Sequence, residues 1–289
     1  MDLSVVVVNW NSGNHLVRLL ASLAPLSNEL KEVWVVDNGS TDSSLEDIRD
    51  YPGVRVLALE ENRGFAGGAN EGVSRTSSNF ILLLNPDVEV ISDSLRQLYG
   101  EMQKRPRAAI ICGSLRDGTG RPQHLFQLRL FPTWKSVLSD ALFIDELTRW
   151  VRGGLEKPCS SVQAHSDVLS DAGHRQLKAE QPAAAFWLLR KKAWEELEGF
   201  DARFYPAWFE DVDFCKRLRA TPWQIFYFPN LPVIHRGGLA LDTLSYPVFV
   251  SIFYRNLLKY LKKHYPYSYP LLWFPVQCGM WIRRLFIRR

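Results

Sequence analysis

The chain has 289 residues, of which 46% are hydrophobic and 23% are charged, close to the average for soluble globular proteins. This composition excludes a disordered chain, a collagen-like repeat and a membrane protein with many spans, and the length allows one large domain or two small ones. The formal net charge of +4 is too small to indicate a nucleic-acid partner unless the basic residues are concentrated in one patch.

Two features of the sequence concern the compartment. The four cysteines lie tens of residues apart without paired spacing, so they indicate neither a zinc site nor a disulfide framework, and they fit a reducing compartment. The apolar run at residues 3–8 follows Asp2 and is interrupted at Asn9 and Asn11, a pattern that does not match a signal peptide. We therefore expect a cytoplasmic protein.

The first third of the chain alternates short apolar runs with helical patterns, which is typical of βαβ units. Leucines at helical spacing predict a helix over residues 16–23, and Ser92 opens another helix. Strands as apolar as the short runs between these helices are buried on both faces of a parallel sheet. The sequence therefore predicts an α/β fold with a Rossmann-like, mostly parallel central sheet, whose strands are at residues 3–8, 33–36, 54–59, 80–84 and 109–112.

Each of the first four strand predictions ends in a polar or glycine-rich stretch. These stretches are residues 9–13, 37–42, 61–64 and 85–87. In an open α/β sheet, ligands bind outside the carboxyl ends of the strands, so the four stretches predict a binding site along one edge of the sheet.

The second half of the chain is less regular. Between about residues 114 and 182 only weak helix signals appear, around residues 137–151. Regular patterns return with an apolar run at 185–189, helices at 191–197 and from Glu210 to before Pro222, and a strand at 223–228. A helical extension follows near 249–263, and the tail at 271–289 is aromatic and ends in paired arginines.

Three stretches of the first half contain candidate ligand-binding residues, each with an ordinary structural alternative. Asp37 either caps the following helix or accepts hydrogen bonds from a base or ribose. The glycine-dense stretch at 62–72 is either a flexible loop or a close approach to a ligand, and it lacks the dinucleotide-binding Gly-x-Gly-x-x-Gly register. Asp87, in Asn85-Pro86-Asp87, either belongs to a turn or binds a metal ion that holds a diphosphate.

Two further candidates lie in the second half. Glu210, Asp211 and Asp213 sit at a predicted helix start, where acidic residues either complement the helix dipole or include a general base, next to aromatic side chains that could bind the face of a sugar. His235 is either a core histidine or a metal ligand.

Taken in order, five motifs resemble those of the family 2 inverting glycosyltransferases of the GT-A fold, and among these the rhamnosyltransferase-like and galactofuranosyltransferase-like branch. The resemblance covers residues 2–113 and 183–238. Its motifs are Val7-Val8-Asn9-Trp10-Asn11, Val36-Asp37-Asn38-Gly39-Ser40-Thr41-Asp42, Asn62-Arg63-Gly64-Phe65, Asn85-Pro86-Asp87 and Phe209-Glu210-Asp211-Val212-Asp213.

The resemblance implies transfer of a sugar, with inversion, from a nucleotide-diphosphate donor such as dTDP-rhamnose to a hydroxyl of a glycan or lipid-linked glycan. It divides one GT-A domain into a nucleotide-sugar-binding half (1–113) and an acceptor-binding and catalytic half (114–240), followed by a C-terminal helical extension (241–289). By the resemblance, a divalent ion, Mg²⁺ or Mn²⁺, would bind to Asp87, which stands in the family's Asp-x-Asp signature. The first acid of that signature is replaced by Asn85, and His235, which stands where members of this branch carry a histidine, would complete the metal site.

The resemblance also implies roles for single residues. Asp211 would be the catalytic base, and Glu210 would orient it or share its role. The expected acceptor-binding aromatic residues are Trp187, Trp208 and Phe209. The expected donor-binding residues are Asn9, Asp37, Asn62, Gly64, Asn70 and Asn85.

Two other functions stay open from the sequence. The loss of an acid at Asn85 would fit a glycan-binding or scaffold protein that has lost catalysis. A nucleotidyltransferase would be expected to carry a basic residue in the loop after the first strand, and residues 9–13 have none.

The tail is also open to two interpretations. Its apolar part, 271–282, is shorter than the ~20 residues that span a bilayer and contains Pro275. It either docks on the domain or makes a peripheral contact with an anionic membrane at its cytoplasmic face.

Overall fold

The computed structural model describes residues 1–48, 51–143, 177–237 and 244–286. All five strands predicted in the first third are present. The elements of this part are β1 (Leu3–Asn9), α1 (Asn14–Leu23), β2 (Glu32–Asp37), β3 (Val54–Ala58), α2 (Gly64–Arg75), β4 (Phe80–Leu84), β5 (Val88–Glu89), α3 (Ser92–Gln103) and β6 (Ala108–Arg116).

The second half contains short elements followed by two long helices. The weak helix signal around 137–151 corresponds at its start to a helix at Trp134–Ala141, and its part from residue 144 onward lies outside the described residues. The elements are α4 (His124–Gln127), β7 (Leu128–Arg129), α5 (Trp134–Ala141), β8 (Leu177–Lys178), β9 (Gln181–Pro182), β10 (Phe186–Arg190), α6 (Lys191–Glu196), α7 (Glu210–Leu218), β11 (Gln224–His235), α8 (Tyr246–His264) and α9 (Tyr269–Phe286).

The main sheet has the strand order β3-β2-β1-β4-β10-β6-β11-β5, and β8 pairs with β11. Strands β3, β2, β1 and β4 are parallel, and so are β6 and β11, whereas β10 runs antiparallel to both of its neighbours. The predicted mostly parallel sheet is confirmed. In this register Asn9 lies opposite Asp37, so the polar stretches after β1 and β2 begin side by side.

The sheet is buried on both faces. Successive side chains of a strand point to opposite sides of the sheet, and here both sets lie in hydrophobic clusters. Along β1, Val6 and Val8 belong to one hydrophobic cluster and Val5 and Val7 to the other. Helix α2 lies close to the sheet at Gly72, where an added Cβ would collide with Val6.

The C-terminal helices pack on the same domain. Helix α9 buries Leu272, Val276 and Arg283, which recur at the spacing of one helix face, and Arg283 donates a hydrogen bond to the backbone oxygen of Asp140 at 2.7 Å. No helix in the described ranges is both long and apolar enough to cross a membrane. The docked interpretation of the tail is therefore correct for this face of α9, whereas residues 287–289 lie outside the described residues.

Candidate active site

A cleft of about 390 Å³ lies at the carboxyl ends of β1 and β4, where the sequence predicted a site. Residues from both halves of the chain line it, and these include acids, amides and an imidazole beside aromatic side chains. Seven of the predicted site residues are among them: Asn62, Asn85, Asp87, Trp208, Glu210, Asp211 and His235.

Asn9 and Asp37 lie behind the cleft and are buried. The amide of Asn9 donates to Oδ1 of Asp37 at 2.8 Å and to the hydroxyl of Ser44 at 3.0 Å. Asp37 in turn accepts a hydrogen bond from the backbone N–H of Ser40 at 3.0 Å. The pair therefore fixes the loops after β1 and β2, and the contact of these two residues with a nucleoside stays a prediction.

The start of α2 is held in place by two asparagines that line the cleft. Asn38 donates to the backbone oxygen of Gly64 at 2.9 Å and accepts from the N–H of Arg63 at 2.9 Å. Asn62 accepts from the N–H of Gly64 at 2.7 Å. Sequence reasoning did not single out Asn38, although it follows directly on Asp37 in the quoted motif.

Gly64 serves a contact within the protein. Its φ is +73°, and an added Cβ would lie 2.7 Å from the backbone oxygen of Pro206. A glycine is needed here because the chain is in the left-handed region and another segment approaches closely. Gly64 thus places the 205–208 segment against α2 and does not itself line the cleft.

Three predicted contacts with substrate need correction. Asn70 donates to the backbone oxygen of Phe200 at 2.8 Å and accepts from its N–H at 2.9 Å, so both of its polar ends serve the fold in place of donor binding. Trp187 lies in the core, on β10, against Phe200. Phe209 is also buried and packs against aromatic rings of α8. Because the two aromatic side chains point into the core, neither forms the acceptor wall.

Asp87 and His235 come together through the pairing of β5 with β11. Oδ2 of Asp87 and Nε2 of His235 are 3.5 Å apart, and both residues are buried. Gln123 fixes the imidazole: its Nε2 donates to the backbone oxygen of His235 at 2.9 Å, so its Oε1 faces Nδ1 at 2.7 Å. An amide oxygen only accepts, hence Nδ1 carries the proton and Nε2 presents a lone pair to Asp87.

This arrangement fits a bound cation. Oδ1 of Asp87 is buried and has no hydrogen-bond partner within the described part of the chain. Burial lowers the pKa of His235, an effect that the neighbouring Asp87 carboxylate opposes, so the imidazole is favoured in its neutral, metal-binding form. The described residues contain no cluster of three or more potential ligands, but two protein ligands suffice where phosphate oxygens and waters complete the coordination of Mg²⁺.

Asp211 lies in the first turn of α7 and faces the cleft. Its Oδ2 accepts a hydrogen bond from Nη2 of Arg129 at 3.0 Å, and its Oδ1 accepts one from the N–H of Val212 at 2.8 Å. Arg129 was missed by sequence reasoning because it belongs to the stretch between 114 and 182, where no periodicity placed it near the site.

The neighbouring Glu210 is in a different environment. Burial, and secondarily the negative charge of Asp211, raise the pKa of Glu210 well above its ordinary value, although Arg129 acts in the opposite direction. Its Oε2 has no hydrogen-bond partner in the described ranges. A raised pKa favours the protonated form of a carboxyl group, so Glu210 keeps its proton to a higher pH than an exposed glutamate would.

The aromatic wall of the cleft depends on the C-terminal extension. Trp208 lines the cleft and meets Phe249 of α8 edge to face, with ring centroids 5.0 Å apart. The buried side chain of Asn256, also in α8, donates to the backbone oxygens of Ala207 at 2.8 Å and of Trp208 at 3.2 Å. Trp208 and the next residue both have φ near the left-handed region, at 70° and 78°, so α8 stabilises a strained turn directly before the two acids.

Comparison with known proteins assigns the family. The model of the family described as Glycosyl transferase family 2 matches residues 4–150. Among curated proteins, the chain is 26% identical over 250 residues to the N-acetylglucosaminyl-diphospho-decaprenol L-rhamnosyltransferase of Mycobacterium tuberculosis, an alignment that covers 81% of this chain and 75% of that protein.

Solved structures agree on the fold. The structure of GalNAc-T7 with UDP, GalNAc and Mn²⁺ matches 81% of this chain and 43% of its own chain at a TM-score of 0.59 and 15% identity. A mannosyltransferase from Pyrobaculum calidifontis, in complex with GDP-Man and Mn²⁺, matches 96% of this chain and 69% of its own at a TM-score of 0.57 and 13% identity. The chain therefore belongs to glycosyl transferase family 2, as a nucleotide-sugar-dependent glycosyltransferase with the GT-A fold.

Proposed function

We propose that this enzyme transfers a sugar, with inversion, from a nucleotide-diphosphate donor to a hydroxyl of a lipid-linked glycan acceptor. The observation that carries the proposal is that Asp211, held by Arg129, lines the same cleft as the Asp87 and His235 pair. One position supplies a base, and the other supplies ligands for a cation at the diphosphate.

In the proposed reaction, Asp211 accepts the proton of the acceptor hydroxyl as its oxygen forms a bond to the anomeric carbon of the donor. The bond from that carbon to the diphosphate breaks at the same time, and the electron pair leaves with the nucleoside diphosphate. Because this is a single displacement, the anomeric configuration inverts. Asp87 and His235 would hold a divalent ion, which would neutralise negative charge on the leaving group.

The protein groups favour Mn²⁺ over Mg²⁺ at this position. Mg²⁺ prefers coordination by oxygen alone, whereas an imidazole nitrogen is a ligand more typical of transition metals. The Mn²⁺ in the named structures of GalNAc-T7 and the Pyrobaculum enzyme supports the same choice.

The donor and acceptor are proposed from the similarity to the mycobacterial rhamnosyltransferase. That enzyme is named for rhamnose transfer to a lipid-linked amino sugar, so dTDP-rhamnose and an isoprenoid-diphosphate sugar are the proposed substrates here. We place the reaction on the cytoplasmic side of the membrane, in the synthesis of a cell-wall or other surface polysaccharide.

A panel of nucleotide sugars tests the donor, with and without Mn²⁺ and with thermal stability as the first readout. A donor that binds the folded chain raises its apparent stability by mass action. The best donor is then incubated with a lipid-linked N-acetylglucosamine acceptor, and product is measured by mass spectrometry. If the donor binds but is neither transferred nor hydrolysed, the protein would be a catalytically inactive glycan-binding protein, and the proposal would be contradicted.

A further inference from the structure

Helix α9 carries a second apolar stripe, opposite the one that packs on the domain. It is strongly exposed: Leu271 is 78%, Phe274 67%, Trp281 60% and Leu285 55% accessible, and Cys278 is exposed as well. These five residues, which we call the outer stripe, follow one another at intervals of three and four residues and so share one face of the helix.

The outer stripe is unusual for a water-facing surface. A helix that is apolar all round is normally buried on all sides. Here the inner face packs on α5 and α8, while the outer face presents large rings. Contiguous exposed apolar patches mark sites of contact with a protein or a membrane.

Charge distinguishes these two partners. Residues 243–289 contain eight Arg and Lys residues and no Asp or Glu, a net charge of +8, so the remaining 242 residues carry a net charge of −4. A second copy of the chain would place one basic extension against another, which like-charge repulsion disfavours. An anionic lipid surface complements both the charge and the aromatic rings, because tryptophan rings favour the membrane interface.

The position of α9 relative to the cleft fits such a surface. Phe249 of α8 contacts Trp208 in the cleft wall, and Tyr254 of α8 contacts Arg283 of α9, with the guanidinium 5.3 Å from the ring centroid. Five residues of helix, about 7.5 Å, separate Phe249 from Tyr254. The end of α9 that bears Trp281 and Arg284 therefore contacts α8 close to the point where α8 supports the aromatic wall of the cleft.

We propose that the outer stripe of α9 docks the enzyme on the surface of an anionic membrane. The rings of Phe274 and Trp281 enter the interface, and Arg284 lies at the level of the lipid phosphates. This surface is outside the cleft, so the proposal is tested independently of the proposed reaction.

The test measures co-sedimentation of the full chain with two kinds of vesicle, pure phosphatidylcholine and equal parts of phosphatidylcholine and phosphatidylglycerol, at low and high salt. Removing α9 would not serve, because the apolar surface of α5 and α8 that its inner face covers would be exposed. The variants are Phe274→Ser combined with Trp281→Ser, and Arg284→Gln alone. Val56→Ser on β3 and Lys192→Gln on α6 are matched controls, since both side chains are exposed elsewhere on the molecule.

We expect the wild type to bind the anionic vesicles and to release at high salt. The double variant should lower the partition coefficient at least about tenfold through lost apolar contact. Arg284→Gln should lower it about fivefold, which corresponds to ~1 kcal/mol per charge at an anionic surface. The controls should match the wild type, and all variants should keep its circular dichroism.

Two results would overturn the proposal. One is binding that neither the double variant nor Arg284→Gln changes, or binding that is indifferent to lipid charge. The other is a dimer, detected by analytical ultracentrifugation, that the double variant dissociates, because the stripe would then be an interface between copies. Should the double variant fail to fold, Arg284→Gln with its Lys192→Gln control decides the question alone.

Discussion

Arg129 and Asp211 form an ion pair across the cleft wall, with Nη2 and Oδ2 3.0 Å apart, although 82 residues of chain separate them. The guanidinium holds the carboxylate in one orientation and pairs with its negative charge. If Asp211 is the base, as proposed, this orientation means that it needs no rearrangement of its own before it meets an acceptor hydroxyl.

Replacing Asp211, the proposed base, should separate donor binding from the chemical step. We expect Asp211→Asn to lower kcat by about 10²- to 10⁴-fold, the range typical of a lost general base, while donor affinity changes little. Single-turnover transfer and donor titration measure the two effects. Asp93→Asn on α3, whose side chain is 84% exposed, is the control. A variant at position 211 that keeps more than about a tenth of wild-type turnover would contradict the assignment and direct attention to Glu210.

Glu210 should make stability depend on pH. Because its pKa is raised in the folded state, the native protein keeps a proton that the unfolded chain loses above its ordinary pKa of 4.5. Stability is therefore full below that value and falls as pH rises toward the folded pKa. We expect Glu210→Gln to leave the melting temperature nearly unchanged at about pH 4 and to raise it progressively toward about pH 8.

Glu101 provides a control of opposite sign for that experiment. Hydrogen bonds from Lys104, and further contacts with Arg105, lower the pKa of Glu101. The stability that it contributes is present above its unfolded pKa and lost on acidification, so Glu101→Gln should reduce the melting temperature at neutral pH. A Glu210→Gln curve that runs parallel to the wild-type curve would show that the buried carboxyl does not titrate as inferred.

The proposed metal site at Asp87 and His235 predicts non-additive losses of Mn²⁺ binding. Asp87→Ala and His235→Ala should each raise the Mn²⁺ concentration needed for half-maximal binding, measured by electron paramagnetic resonance with nucleoside diphosphate present. The double variant should lose less than the sum of the single losses, because both residues act on one ion. If His235→Ala only lowered the melting temperature and left Mn²⁺ binding intact, the histidine would be a core residue.

Gly64 should tolerate no side chain. Gly64→Ala places a Cβ 2.7 Å from the oxygen of Pro206 in a residue with φ of +73°, so we expect destabilisation by about 1–3 kcal/mol and weaker donor binding. Gly100→Ala is the matched control, because α3 has open space at that position and alanine should stabilise the helix by about 0.5–1 kcal/mol. Equal melting temperatures for the two variants would refute the argument. Urea unfolding measures both.

The carboxyl edge of the sheet was predictable because two simple regularities combine there. Apolar runs mark buried parallel strands, and polar stretches after such strands meet at one edge, which is why Asn85, Asp87 and the motif around Asn62 were placed correctly near each other. Glu210 and Asp211 were assigned to the same site only through the resemblance to the family, because no sequence spacing relates them to the first half of the chain.

Other parts of the site depended on contacts that the sequence does not encode locally. Gln123 and Arg129 lie in a stretch without periodicity, and their roles arise from hydrogen bonds to His235 and Asp211. Trp187 was misassigned for a related reason: β10 is buried on both faces, so the alternation of polar and apolar residues that would reveal its direction is missing.

Because β10 runs antiparallel to its neighbours β4 and β6, its beginning, and not its end, lies at the edge of the sheet where β4 ends. Ala183, Ala184 and Ala185 stand directly before this strand and line the cleft. They supply no charge and no proton, and their methyl groups occupy little volume. The space in the cleft and its reactive groups therefore depend on different segments of the chain. A bulkier side chain at any of these three positions would reduce the space for a sugar, while the acids and the imidazole would keep their positions.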